Sequence, residues 1–489
     1  MIDGLKTYPE YQETGQMWVG NIPKHWDILP NRAIFEEVKE RGHPDEEMLS
    51  VTIKRGVILQ KTLLSDSSKK DSSNQNKSAY KLVCPNDIAY NKMRAWQGAI
   101  GVSNFRGIVS PAYVVIRLRK KYNSRYFHYL FRTPHFAKEA ERWSYGITSD
   151  MWSLRPEHFK IIYTPLPTKA EQTAIVKFLD HATRRLNRAI RAKQKVISLL
   201  NEQKQVIIHR AVTRGLNPNV PLKLSGIPWL GDIPRHWEAT SLRRYWQVVD
   251  CKHLTVPFLE EGFPLASVVE VQSFYLDLSR CKKTSSDWYR VLIEGGRKPK
   301  RGDIIYCRNV SVGASAFVDT DLDFAMGQDV CLIRSNTQNQ RFLNYLLRSQ
   351  FMAHQLELLL VGSTFKRINI CEIKALLVLI PPIQEQEQIC KHLDTATAEF
   401  NALITHTKSQ IPLLQEFRTR LIADVVTGKL DVREAASRIP DETEVDDFAV
   451  EKVEFSNGYD DFDSPCLTER KELDEIDSNI LQYGTGANQ

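Results

Sequence analysis

At 489 residues the chain exceeds what one hydrophobic core serves, and its 42% hydrophobic content is that of a soluble globular protein divided into two or three domains. No run approaches the roughly 18 to 20 apolar residues of a membrane span, and Met1 to Glu10 lacks the basic-then-apolar pattern of a signal peptide, so a cytoplasmic protein is expected. The net charge of +7 conceals an asymmetry: residues 441–478 hold 15 Asp and Glu against Lys452, Arg470 and Lys471, a balance of −12 that leaves +19 on residues 1–440. Such a surplus favours a polyanionic partner, nucleic acid first. The acidic tail, poor in aliphatic residues, reads as disordered.

The chain opens on Gly15-Gln16-Met17-Trp18-Val19-Gly20-Asn21-Ile22-Pro23-Lys24-His25-Trp26, which returns at an offset of 211 as Gly226-Ile227-Pro228-Trp229-Leu230-Gly231-Asp232-Ile233-Pro234-Arg235-His236-Trp237. No acid or nucleophile repeats beside His25 and His236 in the sequence, so the motif reads as an anchor of Trp and an Ile-Pro turn that pins the chain as it enters a domain. A polar loop over residues 65–78 has no counterpart in the second half. Strand-like runs follow at Asp87 to Tyr90 and Tyr113 to Leu118, then an amphipathic helix near Arg125 to Ala140. The second half repeats the order with Asp303 to Tyr306, Val330 to Arg334 and a helix from about Arg341 to Leu360.

A long helix closes each half. Its apolar seam runs Ile175, Leu179, Ala182, Leu186, Ala189, Lys193, Val196, Leu200, Gln203, Ile207, Ala211, in the steps of four and three that mark a coiled-coil heptad. Adding 214 to each number gives Ile389, Leu393, Ala396, Phe400, Leu403, Thr407, Gln410, Leu414, Phe417, Leu421 and Val425. A seam copied a domain apart points to mutual pairing of the two helices. Pro412 falls inside the second and is expected to kink or interrupt it.

Chemistry is nearly absent from the sequence. There is no phosphate loop, dinucleotide fingerprint, zinc-protease helix or nucleophile elbow, and no Asn/Asp-Pro-Pro-aromatic tetrapeptide of the amino-methyltransferase type. Asp463, Glu469 and Lys471 have the spacing of a nuclease site but sit in the acidic tail, without a strand to hold them. The eight cysteines, at 84, 251, 281, 307, 331, 371, 390 and 466, form no metal-spaced pair and read as free thiols in a reducing compartment. The chain is expected to catalyse nothing by itself and to hold neither metal nor cofactor.

The segment Trp229 to Trp237, the Pro-rich step into Glu-Gln at Pro165 to Gln172 and Pro381 to Gln386, and the endings Ala211 to Leu216 and Val426 to Asp431 resemble the specificity subunit of a Type I restriction-modification system. The resemblance spans roughly residues 8–433 and leaves the acidic tail outside it. It implies an α+β fold: two mixed α/β target-recognition domains at 1–167 and 217–381, long helices at 168–216 and 382–430 forming an antiparallel coiled coil, and a tail from 431. It further implies double-stranded DNA as ligand, two modification (methyltransferase) subunits and a restriction/translocase subunit as partners, with S-adenosylmethionine, ATP and Mg²⁺ carried by those partners.

The order of segments leads to the same pairing. The second domain begins near the C-terminal end of the first helix, so the second helix must run back for the copied seams to meet, and a pseudo-twofold axis then relates the two readers, as in half-site recognition generally. Diverged loops predict two different half-sites. Phosphate grips and base readers are expected at Lys54, Arg55, Lys92, Arg94, Gln97, Arg106, Tyr145 and Ser149 in the first domain, and at Arg297, Lys298, Arg308, Asn309, Lys366 and Arg367 in the second. Trp96 and Trp152 are expected to pack in the interior rather than stack on bases.

Overall fold

The structure, a computed structural model, describes residues 5–65, 77–146, 152–227, 229–360 and 367–440. Ser149, Lys366, residues 66–76 of the polar loop and the acidic tail with Asp463, Glu469 and Lys471 lie outside these. The chain divides into two compact units, one formed by Met1–Ala189 with Leu413–Gln489 and the other by Ile190–Pro412. Each long helix therefore contributes to both units.

The first unit is built on a four-stranded antiparallel sheet in the order Phe35–Val38, Tyr113–Leu118, Ile88–Asn91, Ile100–Val102. Alternation along the central strands assigns their faces. Ile88, Tyr90, Val114 and Ile116 join the core of Phe127, Leu130, Phe131 and Phe159, whereas Ala89 and Val115 pack with Leu49, Val51 and Val57 on the other side. Asp87, at the start of its strand, receives two hydrogen bonds from the Arg117 guanidinium, at 2.7 and 2.8 Å.

The second unit repeats this sheet as Gln247–Asp250, Val330–Arg334, Ile304–Cys307, Ser315–Phe317, also antiparallel. Asp303 and Arg334 repeat the bidentate pair at 3.2 and 2.6 Å. What differs is attached to the sheet. The first unit carries the hairpin Leu49–Thr52 with Gly56–Leu59, and the second a three-stranded sheet in which Phe263–Ala266 pairs with Lys283–Thr284 and, in parallel, with Ala325–Met326.

The single helix expected in each half is two helices. Ser124–Phe131 and Pro134–Arg142 break at Arg132-Thr133, where the Thr133 hydroxyl accepts from Phe136 N and Pro134 takes the first helical turn, which tolerates its missing N–H. Gln340–Leu347 and Gln350–Leu360 break at the matching Arg348-Ser349.

The long helices span Lys169–Arg214 and Ile383–Val426. In the first unit Ile175, Leu179 and Ala182 pack with Leu421, Val425 and Val426, and further along Asn187 accepts from Arg418 Nη1 at 2.6 Å. In the second unit Lys193 reaches Gln410, Lys204 donates to Asn401 at 2.7 Å, and Ile208 and Ala211 meet Ile389 and Leu393. As one helix is followed forward the other runs backward, so the pairing is antiparallel. Arg418–Asn187 and Lys204–Asn401 are one contact copied at the offset of 214; a half-buried cation that needs a specific amide acceptor fixes register.

The ten apolar positions Ile175, Leu179, Leu186, Leu200, Ile207, Ile389, Leu393, Phe400, Leu414 and Leu421 are all buried or half-buried. The heptad reading nevertheless fails mid-helix, where Val196, Leu403 and Phe417 are 44, 51 and 44% exposed. Buried and half-buried positions instead follow Ile175, Leu186, Ile197, Ile208 and their copies Ile389, Phe400, Ile411, Ile422, eleven residues apart. An eleven-residue period is about 3.67 residues per turn, near that of a straight helix, so the buried stripe drifts away from a 3.5-residue seam. Ile190 and Ile404, each 7% exposed, take the places assigned to Ala189 and Leu403. Replacing Ile190 by Asp should cost about 3 kcal/mol or more, and Val196 by Asp within about 0.5 kcal/mol, in chemical denaturation; equal losses would restore the heptad seam. Pro412 does not interrupt its helix, and it lies on the exposed face.

Candidate nucleic-acid interface

Both opening motifs end on the start of a long helix. The Glu171 carboxylate accepts from His25 Nε2 at 2.8 Å and Trp26 Nε1 at 3.3 Å, and Glu385 repeats this with His236 at 2.7 Å and Trp237 at 3.1 Å. An acid does therefore stand beside each histidine, brought there from 146 and 149 residues away rather than by the motif. Hydrogen bonds hold the Glu171 carboxyl below its ordinary range against the opposing effect of burial. The neighbouring glutamines are anchors too: Gln172 accepts from Asn123 N and Gln386 from Asn339 N. These residues tie each unit's opening motif to the start of its long helix.

The first unit gathers most of its expected DNA contacts in one place. Arg132 donates to the carbonyls of Ile53 and Lys54 at the hairpin tip and to those of Gly98 and Ile100 beyond the next turn. Burial pulls this guanidinium down to about 10. It clamps the Lys54-Arg55 turn to the turn carrying Lys92, Arg94 and Gln97. Lys54 and Arg94 are exposed, and Arg94 reaches Gln97 Oε1 at 3.1 Å. Leu154 N bonds to the Lys92 carbonyl, and Trp96 meets Trp152 edge-on at 5.5 Å, which brings the bridged pair Tyr145 and Ser153 alongside. The half-buried indoles pack on each other, with Trp96 Nε1 held by Met93 O. Tyr145, 56% exposed, lies with its ring 5.0 Å from that of His158. Arg106 is exposed but ion-paired to Glu46 and is not among the residues this clamp joins.

The second unit departs further from expectation. Arg348 repeats Arg132, bonding to the carbonyls of Gln272, Ser273 and Ser315, so the place of Ile53-Lys54 is taken by Gln272-Ser273, and Arg297-Lys298 is not joined by this clamp. Arg297 turns to the Asp250 and Glu294 carbonyls, and Lys298 pairs with Asp323 at 2.7 Å. Arg308 is 5% exposed: its Nη1 lies 2.5 Å from Asp250 Oδ1 and 3.1 Å from His253 Nε2. Asn309 turns its amide to Asp329, and Arg367 is exposed and bridged by backbone to Asn309. Asp250, Cys251 and His253 bring ligand atoms within 4.8 Å of one another, a cluster that spacing alone did not reveal. Arg308 already pairs with its carboxylate. Replacing Arg308 by Ala leaves Asp250, whose side chain is 30% exposed, with His253 and the Cys251 amide as partners, so the expected result is a stability loss of about 1–3 kcal/mol in urea unfolding, in place of a change in base preference with the fold intact.

The anchors Arg132 and Arg348 were missed in the sequence. Their signal was the copied triplet Phe131-Arg132-Thr133 and Leu347-Arg348-Ser349, hidden inside what reads as a continuous helix.

Residues 279–413 match the family model described as Type I restriction modification DNA specificity domain. This stretch is similar to a Type I specificity domain. Over 367 residues, covering 72% of this chain and 81% of the relative, it is 22% identical to the Type I restriction enzyme MjaVIII specificity subunit of Methanocaldococcus jannaschii. It is 21% identical to the putative MjaX specificity subunit of the same organism, over 85% of this chain and 96% of the relative. A solved structure concerned with complex assembly and conformational transition of the type I R-M system contains a chain that superposes with a TM-score of 0.61 at 15% identity, covering 84% of this chain and 99% of that one. The specificity-subunit resemblance read from the opening motifs and helix ends is borne out, and so is the fold class it implied, mixed α/β units with two long paired helices. Among the described residues no helix is long and apolar enough to cross a membrane.

Proposed function

We propose that the chain is the DNA-reading subunit of a Type I restriction-modification complex, each unit recognising one part of a bipartite, asymmetric duplex site. The observation that carries this reading is one scaffold present twice, sheet for sheet and clamp for clamp, with unrelated structure attached to it. Shared scaffold suits a shared duplex backbone, and unshared loops suit different bases. The long helices would dock two methyltransferase subunits, which carry S-adenosylmethionine, and a restriction/translocase subunit would bring ATP and Mg²⁺. The chain itself would transfer and cleave nothing, and its place would be the cytoplasm, where these partners and DNA meet.

A standalone duplicated regulator is the alternative, and its helix pair would keep a polar outer face. Val196, Leu199, Val206 and Leu403 in the second unit and Leu413 and Phe417 in the first are instead 44 to 63% exposed, apolar surface of the kind a partner covers. The test is methylation of genomic DNA by the reconstituted complex, followed by mapping of methylated bases. Two dissimilar half-sites around a spacer are expected; a continuous palindrome, or methyl transfer by the isolated chain, would end the proposal.

A further inference from the structure

The loop after the strand Ile304–Cys307 turns its polar side chains inward. Arg308 is engaged by Asp250. Asn309 accepts from Val310 N at 2.9 Å through Oδ1 and directs Nδ2 to Asp329. The main chain is fastened as well, by Arg308 N to Asp329 O, Ile368 N to Arg308 O and Gly313 N to Cys307 O. What faces solvent is the side chain of Val310, 71% exposed, on a backbone with φ of +59°. Among the described non-glycine residues with positive φ, the others are Asn, His and Asp. A β-branched residue there is strained, and an exposed one recovers nothing from burial. Asparagine or glycine would relax the loop at once. The surrounding bonds thus hold an apolar tip out into water in a conformation it does not favour.

We infer that Val310 reads DNA, by contact with the 5-methyl group of a thymine in the half-site of the second unit. The inference rests on the DNA-reading function proposed above. In the major groove thymine alone presents an apolar group, while guanine, adenine and cytosine present donors and acceptors that a valine cannot answer. The tip's own amide is already bonded to Asn309. Arg367, exposed and bridged to Asn309, supplies a cation beside the tip for a phosphate. The matching turn of the first unit presents Arg94, so the two readers use opposite chemistry at one place on the scaffold. A two-methyl side chain is short for a wedge between base pairs, a task generally taken by Phe, Leu, Ile, Met or Pro.

The experiment uses the reconstituted complex and duplexes bearing its mapped site, with each thymine of the second half-site replaced in turn by uracil, which removes only the methyl group. Wild type should lose about fourfold in affinity at one thymine, the worth of one buried methyl. Val310→Gly and Val310→Asn, both at ease at positive φ, should bind the thymine and uracil duplexes equally while unfolding no earlier than wild type. Uracil tolerated everywhere by wild type, sensitivity that survives in both variants, or a half-site with no thymine on either strand would overturn the assignment. So would 2-aminopurine fluorescence that rises on binding in wild type and not in the variants, since that reports an opened base step. A wild-type complex that methylates without sequence preference would instead overturn the DNA-reading proposal itself.

Discussion

Replacing Gly428 with alanine should destabilise the first unit by about 3–5 kcal/mol, and the cause can be separated into two parts by comparison with two other glycines. Gly428 follows the second long helix with φ of +78°, and a Cβ there would overlap Pro23 Cδ and lie 2.8 Å from Pro23 Cγ and 3.1 Å from Trp26. Gly215 directly follows the first long helix, at +74°, but its Cβ would meet the end of the Glu385 carboxylate at 2.9 Å and Trp237 at 3.2 Å, atoms of which the first can give way. Gly20, at +71°, has nothing within 4 Å. Alanine at Gly20 then measures the left-handed backbone alone, about 1 kcal/mol; at Gly215 about 2 kcal/mol is expected, and at Gly428 the full amount, because proline and tryptophan cannot rotate aside. Urea unfolding of the three variants checks the order. Three equal small losses would mean that the helix ends do not press on the opening motifs.

The second large effect concerns assembly. Leu199 and Leu413 are copies at the offset of 214, exposed by 44 and 63%. Glutamate at both positions should leave unfolding within about 0.5 kcal/mol of wild type, because neither side chain is buried. It should weaken capture of the methyltransferase subunits by about a thousandfold, as expected when two apolar anchors are lost at about 2 kcal/mol each. Methylation would fall in parallel, while duplex binding by the variant chain alone would be kept. Undiminished assembly in a pull-down with purified methyltransferase subunits would show that these exposed leucines serve another purpose.

Much of the scaffold was legible because it is written twice. Two copies of Gly-x-Ile-Pro-x-His-Trp, of Glu-Gln and of the helix endings located both units, and the strands Tyr113–Leu118 and Val330–Arg334 fell where apolar runs placed them. The seam was legible in its ends and not in its middle: 3.5 and 3.67 residues per turn coincide near Ile175 and part company by Ile190. The reader residues were the least legible. Lys54 and Arg94 remain at an exposed surface, but Arg308 and Arg297 are consumed by acids and carbonyls from distant parts of the chain, which no local pattern announces. An arginine at a strand end looks the same in sequence whether it will grip a phosphate or an aspartate.

The division of the units has a consequence for how the protein is made. The second unit is one continuous stretch, Ile190–Pro412, whereas the first waits for Leu413 onward. Its core includes Leu421, Val425, Val426 and Val432, the Tyr126 hydroxyl donates to the Val426 carbonyl, and Lys6 pairs with Asp431. On a ribosome the part synthesised first must therefore stay unsealed while more than two hundred further residues emerge, and the later part can finish before it. Chain growth and folding run in opposite orders here, against the usual N-terminal-first course. A nascent chain stalled before Leu421 would present a first unit with its aromatic core open, a target for chaperones and proteases.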